Sequence, residues 1–206
     1  CGDSYVDSYI DGPPTKLRIN GVNLALMSDL KVNFYVPTAA MEAYENVYFV
    51  FNVADREVIV SEGKDVGDKY QFALTGMPPR MMNDTINIKL YGTYDGVVYE
   101  YTNTYKIADY CYNQIRKASN AATLKTMLVD LLNFGAAHQV YGNHNLENMV
   151  NATLTDAEKA LASSYEQKFT NVLAQTGTNN GASFRGANLV LSDAIVIRYT
   201  VKCDDL

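Results

Sequence analysis

The sequence contains no tryptophan, and it has only two histidines and three cysteines among 206 residues. The lack of tryptophan argues against a polysaccharide-cleaving cleft, which usually relies on aromatic platforms. His138 and His144 lack the spacing of a helical metal pair, and neither has a cysteine or glutamate at ligand spacing. A zinc site is therefore not expected, and we interpret both histidines as polar residues at a helix end.

Basic residues are also scarce, because 17 Lys and Arg stand against 23 Asp and Glu. The formal net charge is −6, and a protein that binds nucleic acid or an anionic membrane would need a basic patch. No apolar run approaches the roughly 18 residues of a membrane-spanning helix. These observations predict no nucleic-acid partner and no membrane-spanning segment.

The sequence carries no nucleophile elbow, metalloprotease motif, phosphate-binding loop or dinucleotide fingerprint. We therefore expect a protein that is not an enzyme and has no cofactor and no metal. Asp3, Asp7 and Asp11 recur every four residues, a spacing that misses the alternate ligands of an EF-hand loop. A structural Ca²⁺ stays an open alternative to simple solvated acidic termini.

The cysteines leave several alternatives open. Cys1 and Cys203 lie near the two ends of the chain and could pair, whereas Cys111 falls in a helical pattern and is expected to pack as a small apolar group. Because the chain begins at Cys1 without a signal sequence, we expect a trimmed boundary there, with a lipid-modified Cys1 as the alternative. Residues 1–15 are interpreted as a leader or the end of a preceding module.

Apolar residues make up 48% of the chain, and residues 16–108 alternate between apolar and polar side chains in many short segments. Residues 30–36 alternate cleanly, as a half-buried strand does. Residues 46–53 carry apolar side chains on both faces and are interpreted as a central strand that is covered on both sides. An Asp95-Gly96 pair between two alternating segments is a strong hairpin signal. The fold class predicted is α+β, beginning with an antiparallel β-sandwich of the Ig-like kind.

Residues 109–176 change to a period near 3.6 and predict three helices. Asp109 is expected to cap a helix over residues 110–118, and a second helix covers residues 123–141. On that second helix an apolar stripe is predicted to be formed by Leu124, Leu128, Leu131, Leu132 and Ala136. Thr155 and Glu158 have the spacing of a capping box, which opens a third helix to about residue 175.

The most informative feature is a distant repeat. Gly21–Leu26 (GVNLAL) returns as residues 186–191 (GANLVL), and an apolar alternation follows both copies in the same register. Such a repeat predicts a modular array. Residues 182–206 are accordingly expected to start a second β unit or to form a hairpin that completes a sheet. Because two strands are marginal alone, this hairpin should dock on something.

Two further motifs accompany the repeat: residues 109–113 (DYCYN) and residues 124–141 (LKTMLVDLLNFGAAHQVY). Together with the NGVNLAL start and the VNFY strand, they resemble a repeat module of secreted or surface-anchored proteins of gut Firmicutes (Clostridia and Lachnospiraceae). Phe134 and His138 depart from that pattern, which has Tyr and Ala there. The resemblance implies an extracellular, non-catalytic accessory role, and it implies no ligand.

Candidate binding residues come from two segments. Tyr91 and Tyr94 lie near the Asp95-Gly96 turn and are expected to be an exposed pair, whereas Tyr99, Tyr101 and Tyr105 share a face that is expected to be core or inter-module contact. Residues 77–82 (MPPRMM) form a proline-stiffened loop that offers Met77, Arg80 and Met81 to a partner. The alternative for this loop is a crossover that caps the sandwich.

These observations predict a non-catalytic extracellular binding or spacer module of a bacterial cell-surface protein, secreted or held at the cell surface. Its partners would be a host protein or glycan and neighbouring modules of the same chain. A host glycoprotein such as immunoglobulin is one concrete version of the partner. The alternative is a carbohydrate-binding accessory module of a glycan-degrading enzyme, which would present exposed aromatic side chains on a concave face.

Overall fold

The computed structural model describes residues 12–26, 30–164, 181–191 and 195–203. These residues divide into two compact units, the first within Cys1–Ser164 and the second within Tyr165–Leu206. Several expectations lie outside the described residues. They concern residues 1–11 of the leader with Cys1 and its aspartates, the predicted third helix after Ser164, and residues 204–206.

The first unit contains eight strands in two antiparallel four-stranded sheets. In chain order the strands are β1 (Gly21–Leu26), β2 (Leu30–Pro37), β3 (Glu45–Val53), β4 (Arg56–Val60), β5 (Lys64–Asp65), β6 (Lys69–Met77), β7 (Ile86–Tyr94) and β8 (Val97–Tyr105). One sheet has the order β1-β2-β6-β5 and the other has the order β4-β3-β7-β8. The protein is thus a mixed α and β chain with mostly antiparallel sheets, which is compatible with a β-sandwich.

The core lies between the inner faces of the two sheets. Phe34 of β2 lies 4.9 Å from Phe51 of β3 between ring centroids, and Phe49 lies 5.0 Å from Phe72 of β6. All four rings are fully buried, and each contributes up to about 3 kcal/mol of hydrophobic free energy. The alternation that predicted these strands is confirmed, because every second residue of β2 and β3 faces this layer.

A polar ladder crosses the outer face of the first sheet. The Gln71 amide donates to Asn33 Oδ1 at 3.0 Å, Asn33 donates to Asn23 Oδ1 at 2.8 Å, and Asn23 donates to the Tyr35 hydroxyl at 2.9 Å. Asn33 is only 5% exposed, so these bonds satisfy a buried amide. Since a slip by one residue would turn every side chain to the other face, the ladder also fixes the register of β1, β2 and β6.

The predicted hairpin between β7 and β8 is present. Asp95 and Gly96 have φ values of 48° and 73°, as the turn of a two-residue hairpin requires. The three tyrosines expected in the core pack partly buried against it: Tyr99, Tyr101 and Tyr105. The residues between them on β8 face solvent, as the alternation predicts.

Four helices are described, and one of them was not predicted. This is α1 (Thr38–Ala43), a short helix between β2 and β3. The others are α2 (Ile107–Arg116), α3 (Ala122–Tyr141) and α4 (Asp156–Lys159). None of the helices within the described ranges is long and apolar enough to cross a membrane.

The start of α2 differs from the prediction. Its N-cap is Lys106, so the expectation that Asp109 caps the helix is wrong. The Ala108 amide donates to the Met82 carbonyl at 2.9 Å, which satisfies a first-turn donor without a side-chain cap. Asp109 lies inside the first turn, where its negative charge suits the helix dipole.

The capping box that opens α4 is confirmed. The Glu158 amide donates to Thr155 Oγ1 at 3.2 Å, and the Thr155 amide donates to Glu158 Oε2 at 2.9 Å. The predicted continuation past Lys159 is wrong for the described residues, because the chain turns there. The amide and hydroxyl of Ser163 both donate to the Asp130 carboxylate of α3, and these bonds hold the chain away from a helical path.

The second unit is described as one antiparallel hairpin, β9 (Ala182–Leu191) and β10 (Ile195–Cys203). Its pairing follows that of β1 and β2. Gly21 pairs with Tyr35 and Gly186 pairs with Thr200, and the intervening pairs correspond one by one until the hairpins turn. The repeated sequence segments therefore adopt the same strand direction and the same register.

Candidate functional site

A groove of about 1240 Å³ lies in the first unit, where the segment after β6 meets α3. It includes three of the residues predicted to bind a partner, Met77, Arg80 and Met81, and it does not include Tyr91 or Tyr94. Its walls are mostly apolar, formed by Leu26, Leu30, Met77, Pro78, Pro79, Met81, Leu131 and Phe134. Asp55, Arg56, Arg80 and His144 add charged and polar groups to these walls. Apolar walls with a small number of placed polar groups are the usual form of a binding site.

The groove exists because α3 lies directly against the 3₁₀ turn Pro79–Met81. Gly135 of α3 is buried there, and a Cβ added to it would lie 3.1 Å from the Pro79 carbonyl oxygen and 3.1 Å from Met82 Sδ. Only glycine allows so close an approach without displacing backbone atoms. This contact holds Phe134, the preceding residue, and Leu131, about one turn earlier on α3, at the groove.

The predicted loop residues have different surroundings. Met77 and Met81 are 2% and 4% exposed, so their side chains belong to the core and form the floor of the groove. Arg80 is partly exposed, and its aliphatic stem lies beside Gly142 at the end of α3. The residue that can contact a partner through a charged group is therefore Arg80.

The positive charge of Arg80 stands at the carboxyl end of α3, which carries partial negative charge. No Asp or Glu within the described ranges forms an ion pair with Arg80. Arg56, the other arginine of the groove, donates from Nη1 to the Gly76 carbonyl at 3.0 Å. The guanidinium of Arg80 can thus donate hydrogen bonds to the carboxylate of a bound molecule.

His144 lies at the groove edge in a fixed polar contact. Its Nε2 lies 2.7 Å from Asp84 Oδ2, and the other oxygen of Asp84 accepts a hydrogen bond from Asn145 at 3.0 Å. The Asp84 side chain is only 10% exposed. These contacts tie the chain after α3 to the sandwich, which agrees with a polar structural role for His144.

A row of rings extends from the groove along the outer side of α3. Phe134 is 59% exposed and Tyr141 is 89% exposed, and His138 lies between them with ring centroids 6.2 and 6.5 Å away. Sequence reasoning did not identify this row. The composition of α3 is the signal that could have revealed it, because the helix has apolar or aromatic residues on all sides. Only one side of such a helix can pack on the sandwich, and the opposite face is left without a partner in the described structure.

The predicted apolar stripe of α3 is confirmed only in part. Leu128, Leu132 and Ala136 are buried, whereas Leu124 and Leu131 are half-buried. The buried side is completed by Val129, Gly135 and Gln139, which the stripe did not include. Leu131 is half-buried and lines the groove, so it belongs to a second apolar face of the helix and not to the core side.

Tyr91 and Tyr94 lie on opposite faces of the second sheet. Tyr94 packs against the core, 6.2 Å from the Tyr44 ring. Tyr91 lies on the outer face, stacked on Tyr48 of β3 at a centroid distance of 5.2 Å and an interplanar angle of 25°. Glu100, its register partner on β8, raises the pKa of the Tyr91 hydroxyl through a hydrogen bond. The expected exposed pair is therefore replaced by a Tyr48–Tyr91 pair.

The remaining groups to consider are the buried cysteine and the acidic and histidine side chains. Cys111 is buried in α2, as predicted, and burial raises the pKa of its thiol to about 12. Within the described ranges, no three side chains of His, Cys, Asp or Glu come together as a metal site would require. The surfaces that the described residues offer to a partner are the groove with Arg56 and Arg80, the ring row of α3 and the Tyr48–Tyr91 pair.

Comparisons with family models, with curated proteins and with solved structures found no match to this chain.

Proposed function

We propose that this chain is a non-catalytic binding module of an extracellular bacterial cell-surface protein, with an Ig-like sandwich as its scaffold. It binds a host protein at the groove beside α3. The observation that carries the proposal is the 59% exposure of Phe134 at the rim of an apolar groove. The resemblance of residues 109–113 and 124–141 to surface proteins of gut Firmicutes supports the extracellular setting.

The energetics favour a protein partner. Phe134 and Tyr141 expose large apolar areas, and buried aromatic and arginine side chains carry most of the binding energy of protein interfaces. Arg80 lies at the same groove as Phe134 and supplies the charged contact. An interface centred here would bury the ring row at its core and place Arg80 against a carboxylate.

Immunoglobulin is the partner that we propose to test first. Purified immunoglobulin is passed over the immobilised full chain, and binding is measured by surface plasmon resonance. Replacing Phe134 by alanine is expected to weaken binding by about tenfold or more, since a central aromatic contributes about 1.4 kcal/mol or more.

Val97→Ala is the matched control, because Val97 is also about half exposed, at 52%, but lies at the β7–β8 turn away from the groove. Its binding should equal that of the unaltered chain. If immunoglobulin does not bind to the unaltered chain, it is ruled out as the partner. Equal weakening by both variants would remove the groove as the site.

A second candidate function is carbohydrate binding, and the observation that favours it is the Tyr48–Tyr91 pair. Nearly parallel tyrosine rings on an open sheet face can stack against the apolar side of a sugar ring. Lys89 and Glu100 lie beside the pair on neighbouring strands, with Lys89 Nζ 3.7 Å from Glu100 Oε2. Both side chains could bind the hydroxyl groups of the sugar. This arrangement supports an accessory module of a glycan-degrading enzyme.

A glycan array separates the two candidates. Carbohydrate binding predicts hits that Tyr91→Ala removes and Phe134→Ala leaves unchanged, whereas Tyr91→Phe keeps the ring and most of the affinity. An array without hits for the unaltered chain would rule against this second function and leave the protein-binding groove unaffected.

A further inference from the structure

We propose that β8 is a dimerisation edge, at which this strand pairs antiparallel with β8 of a second copy of the chain. β8 stands last in the sheet order β4-β3-β7-β8, and within the described residues it pairs with β7 alone. A strand at a sheet edge carries a row of backbone groups to which a further strand can bind. This inference concerns the first unit and is independent of the groove beside α3.

Of the edge strands described in the first unit, β8 has the least protection against pairing. It covers nine residues and its register with β7 has no bulge, whereas β1, β4 and β5 cover six, five and two residues. Natural edges are usually blunted by short length, bulges, proline or lysine. The sequence of β8, VVYEYTNTY, contains neither proline nor lysine, so its length, regularity and composition all suit a further strand.

The turn between β7 and β8 decides which backbone groups of β8 are directed outward. In a two-residue hairpin the pair that flanks the turn exchanges hydrogen bonds, and here this pair is Tyr94 and Val97. Hydrogen-bonded and non-hydrogen-bonded pairs then alternate along the two strands. The N–H and C=O groups directed away from β7 therefore belong to Val98, Glu100, Thr102 and Thr104.

One of these outward groups is already occupied. The Thr104 amide donates to the side-chain oxygen of its neighbour Asn103 at 2.8 Å, as an amide that is directed away from β7 can. A second strand pairs best where it does not need this amide. The contact is therefore expected in the middle of β8, at Glu100 and Thr102.

The possible registers of two β8 strands differ in what lies opposite Glu100. In a pairing centred on Glu100 the two carboxylates face each other, and like charges directly opposite destabilise a sheet. In a pairing centred on Thr102, Glu100 meets Thr104 of the second copy, whose amide is occupied. A pairing centred on Tyr101 avoids both problems, because Glu100 of each copy meets Thr102 of the other.

The side chains suit this register as well. Val98, which is 63% exposed, lies opposite Thr104 of the second copy, so that two β-branched side chains meet on the outer face. Tyr101 lies opposite itself on the twofold axis, where the two rings can form an aromatic pair. Since each copy contributes the same residues, the contact is closed when two copies have met. The sequence of the edge itself thus favours a second copy as its partner.

Sedimentation velocity of the full chain over a range of concentrations, at about 0.15 M salt, is the first test. One strand pair is a small interface, so we expect a weak dimer with a Kd on the order of 10 to 100 μM. Thr102→Lys places an ammonium group opposite Glu100 and should lower the Kd by about fivefold, whereas Thr102→Glu should raise it by about fivefold or more.

Asn87→Glu is the matched control. Asn87 is an exposed residue on the same outer face, but it belongs to β7, one strand away from the edge. The substitution adds the same charge as Thr102→Glu without placing it opposite the second copy, so the Kd should stay close to that of the unaltered chain. An unchanged near-ultraviolet circular dichroism spectrum verifies that each variant keeps the fold of the first unit.

Disulfide cross-linking tests the register. Glu100→Cys and Thr102→Cys are made separately in a chain in which Cys1 and Cys203 are replaced by serine, while the buried Cys111 is kept. Hydrogen-bonded partners on antiparallel strands have Cα atoms about 5.5 Å apart, a distance that a disulfide spans. We expect a mixture of the two variants to cross-link much faster than either variant alone.

Three results would each overturn the proposal. The first is a chain that stays monomeric at every concentration up to about 1 mM. The second is a dimer whose Kd is the same in Thr102→Lys and Thr102→Glu, which would place the contact elsewhere on the molecule. The third is cross-linking of one cysteine variant alone as fast as the mixture, which would mean that the strands do not pair around Tyr101.

Discussion

Arg116 of α2 holds Glu158 of α4 through two hydrogen bonds, from Nε to Oε1 at 2.8 Å and from Nη2 to Oε2 at 3.4 Å. The two residues lie 42 positions apart, so this contact joins the two ends of the helical segment. The same arginine donates to the Thr153 carbonyl at 3.3 Å, just before the capping box. Polar contacts therefore hold the short helix α4 against α2.

Glu158 gives the first prediction, which concerns acid stability. The Arg116 hydrogen bond, followed by the Thr155 amide, lowers the pKa of Glu158 from 4.5 to about 2. Because the folded pKa is lower than the unfolded one, the contact stabilises the fold above about pH 4.5 and is lost as the pH falls toward 2. Arg116 is half exposed, so we expect a loss of only about 1 kcal/mol.

Urea unfolding between pH 6 and pH 2 tests this prediction. Glu158→Gln should show a smaller decrease in unfolding free energy over this range than the unaltered chain, and high salt should narrow the difference. The prediction fails if the two proteins lose stability in parallel.

The second prediction concerns the close approach at Gly135. Replacing a helical glycine by alanine usually stabilises a helix by about 1 kcal/mol. At this position the new Cβ would lie 3.0 Å from Val150 Cγ1 and 3.1 Å from the Pro79 carbonyl oxygen. We therefore expect Gly135→Ala to destabilise the fold by about 1 to 3 kcal/mol, measured by thermal unfolding. A higher melting temperature would contradict the packing of α3 on the 3₁₀ turn.

The third prediction compares two buried tyrosines. The Tyr105 hydroxyl is buried and has no hydrogen-bond partner among the residues that the structure describes, and burial raises its pKa. The Tyr112 hydroxyl donates to the Val150 carbonyl at 2.8 Å. Removing an unsatisfied hydroxyl removes its desolvation cost, so Tyr105→Phe should stabilise the protein by about 1 kcal/mol, while Tyr112→Phe should destabilise it by a similar amount. The test is chemical unfolding of both variants. Equal changes in the free energy of unfolding would contradict the prediction that only the Tyr112 hydroxyl makes a stabilising hydrogen bond.

The fourth prediction concerns Gln139, a fully buried residue of α3. Its amide nitrogen donates to the carbonyls of Asn145 and Asn148, and its carbonyl oxygen accepts the Val150 amide at 2.8 Å. Gln139→Leu preserves volume but leaves these backbone groups unsatisfied, which costs about 1 to 3 kcal/mol for each that finds no water.

Hydrogen exchange of residues 142–150 should accelerate in Gln139→Leu, and exchange in β3 should stay unchanged. Unchanged exchange over residues 142–150 would mean that Gln139 does not hold this loop in place. Asn151→Ala is a useful comparison, because Asn151 makes a single side-chain bond, to Asn133 at 2.9 Å.

Local signals in the sequence predicted much of the fold. Alternation located the core strands, the Asp95-Gly96 pair located a hairpin, and Thr155 located the start of a helix. Each of these signals acts over a few residues and depends on backbone preferences that tertiary contacts did not override. The short helix Thr38–Ala43 was not predicted, because its six residues are too few for a helical period to appear in the sequence.

The groove could not be predicted in the same way. It depends on Gly135 meeting the turn at Pro79, two sites far apart in the chain whose contact no local pattern encodes. Met77 and Met81 have adaptable side chains that suit a contact surface, yet both are buried. Phe134 was identified only as a departure from a family pattern, and its exposure follows from how α3 is rotated against the sandwich.

The polar ladder of β1 and β2 shows how a duplicated hairpin can diverge. Asn23 and Asn33 face each other in the first hairpin, and the corresponding positions of the second are Asn188 and Arg198. One amide of the pair has been exchanged for a long cation while the strand pairing stays the same. Two hairpins with the same strand pairing can thus carry different polar side chains. Each could then bind a different partner although the backbone fold is the same.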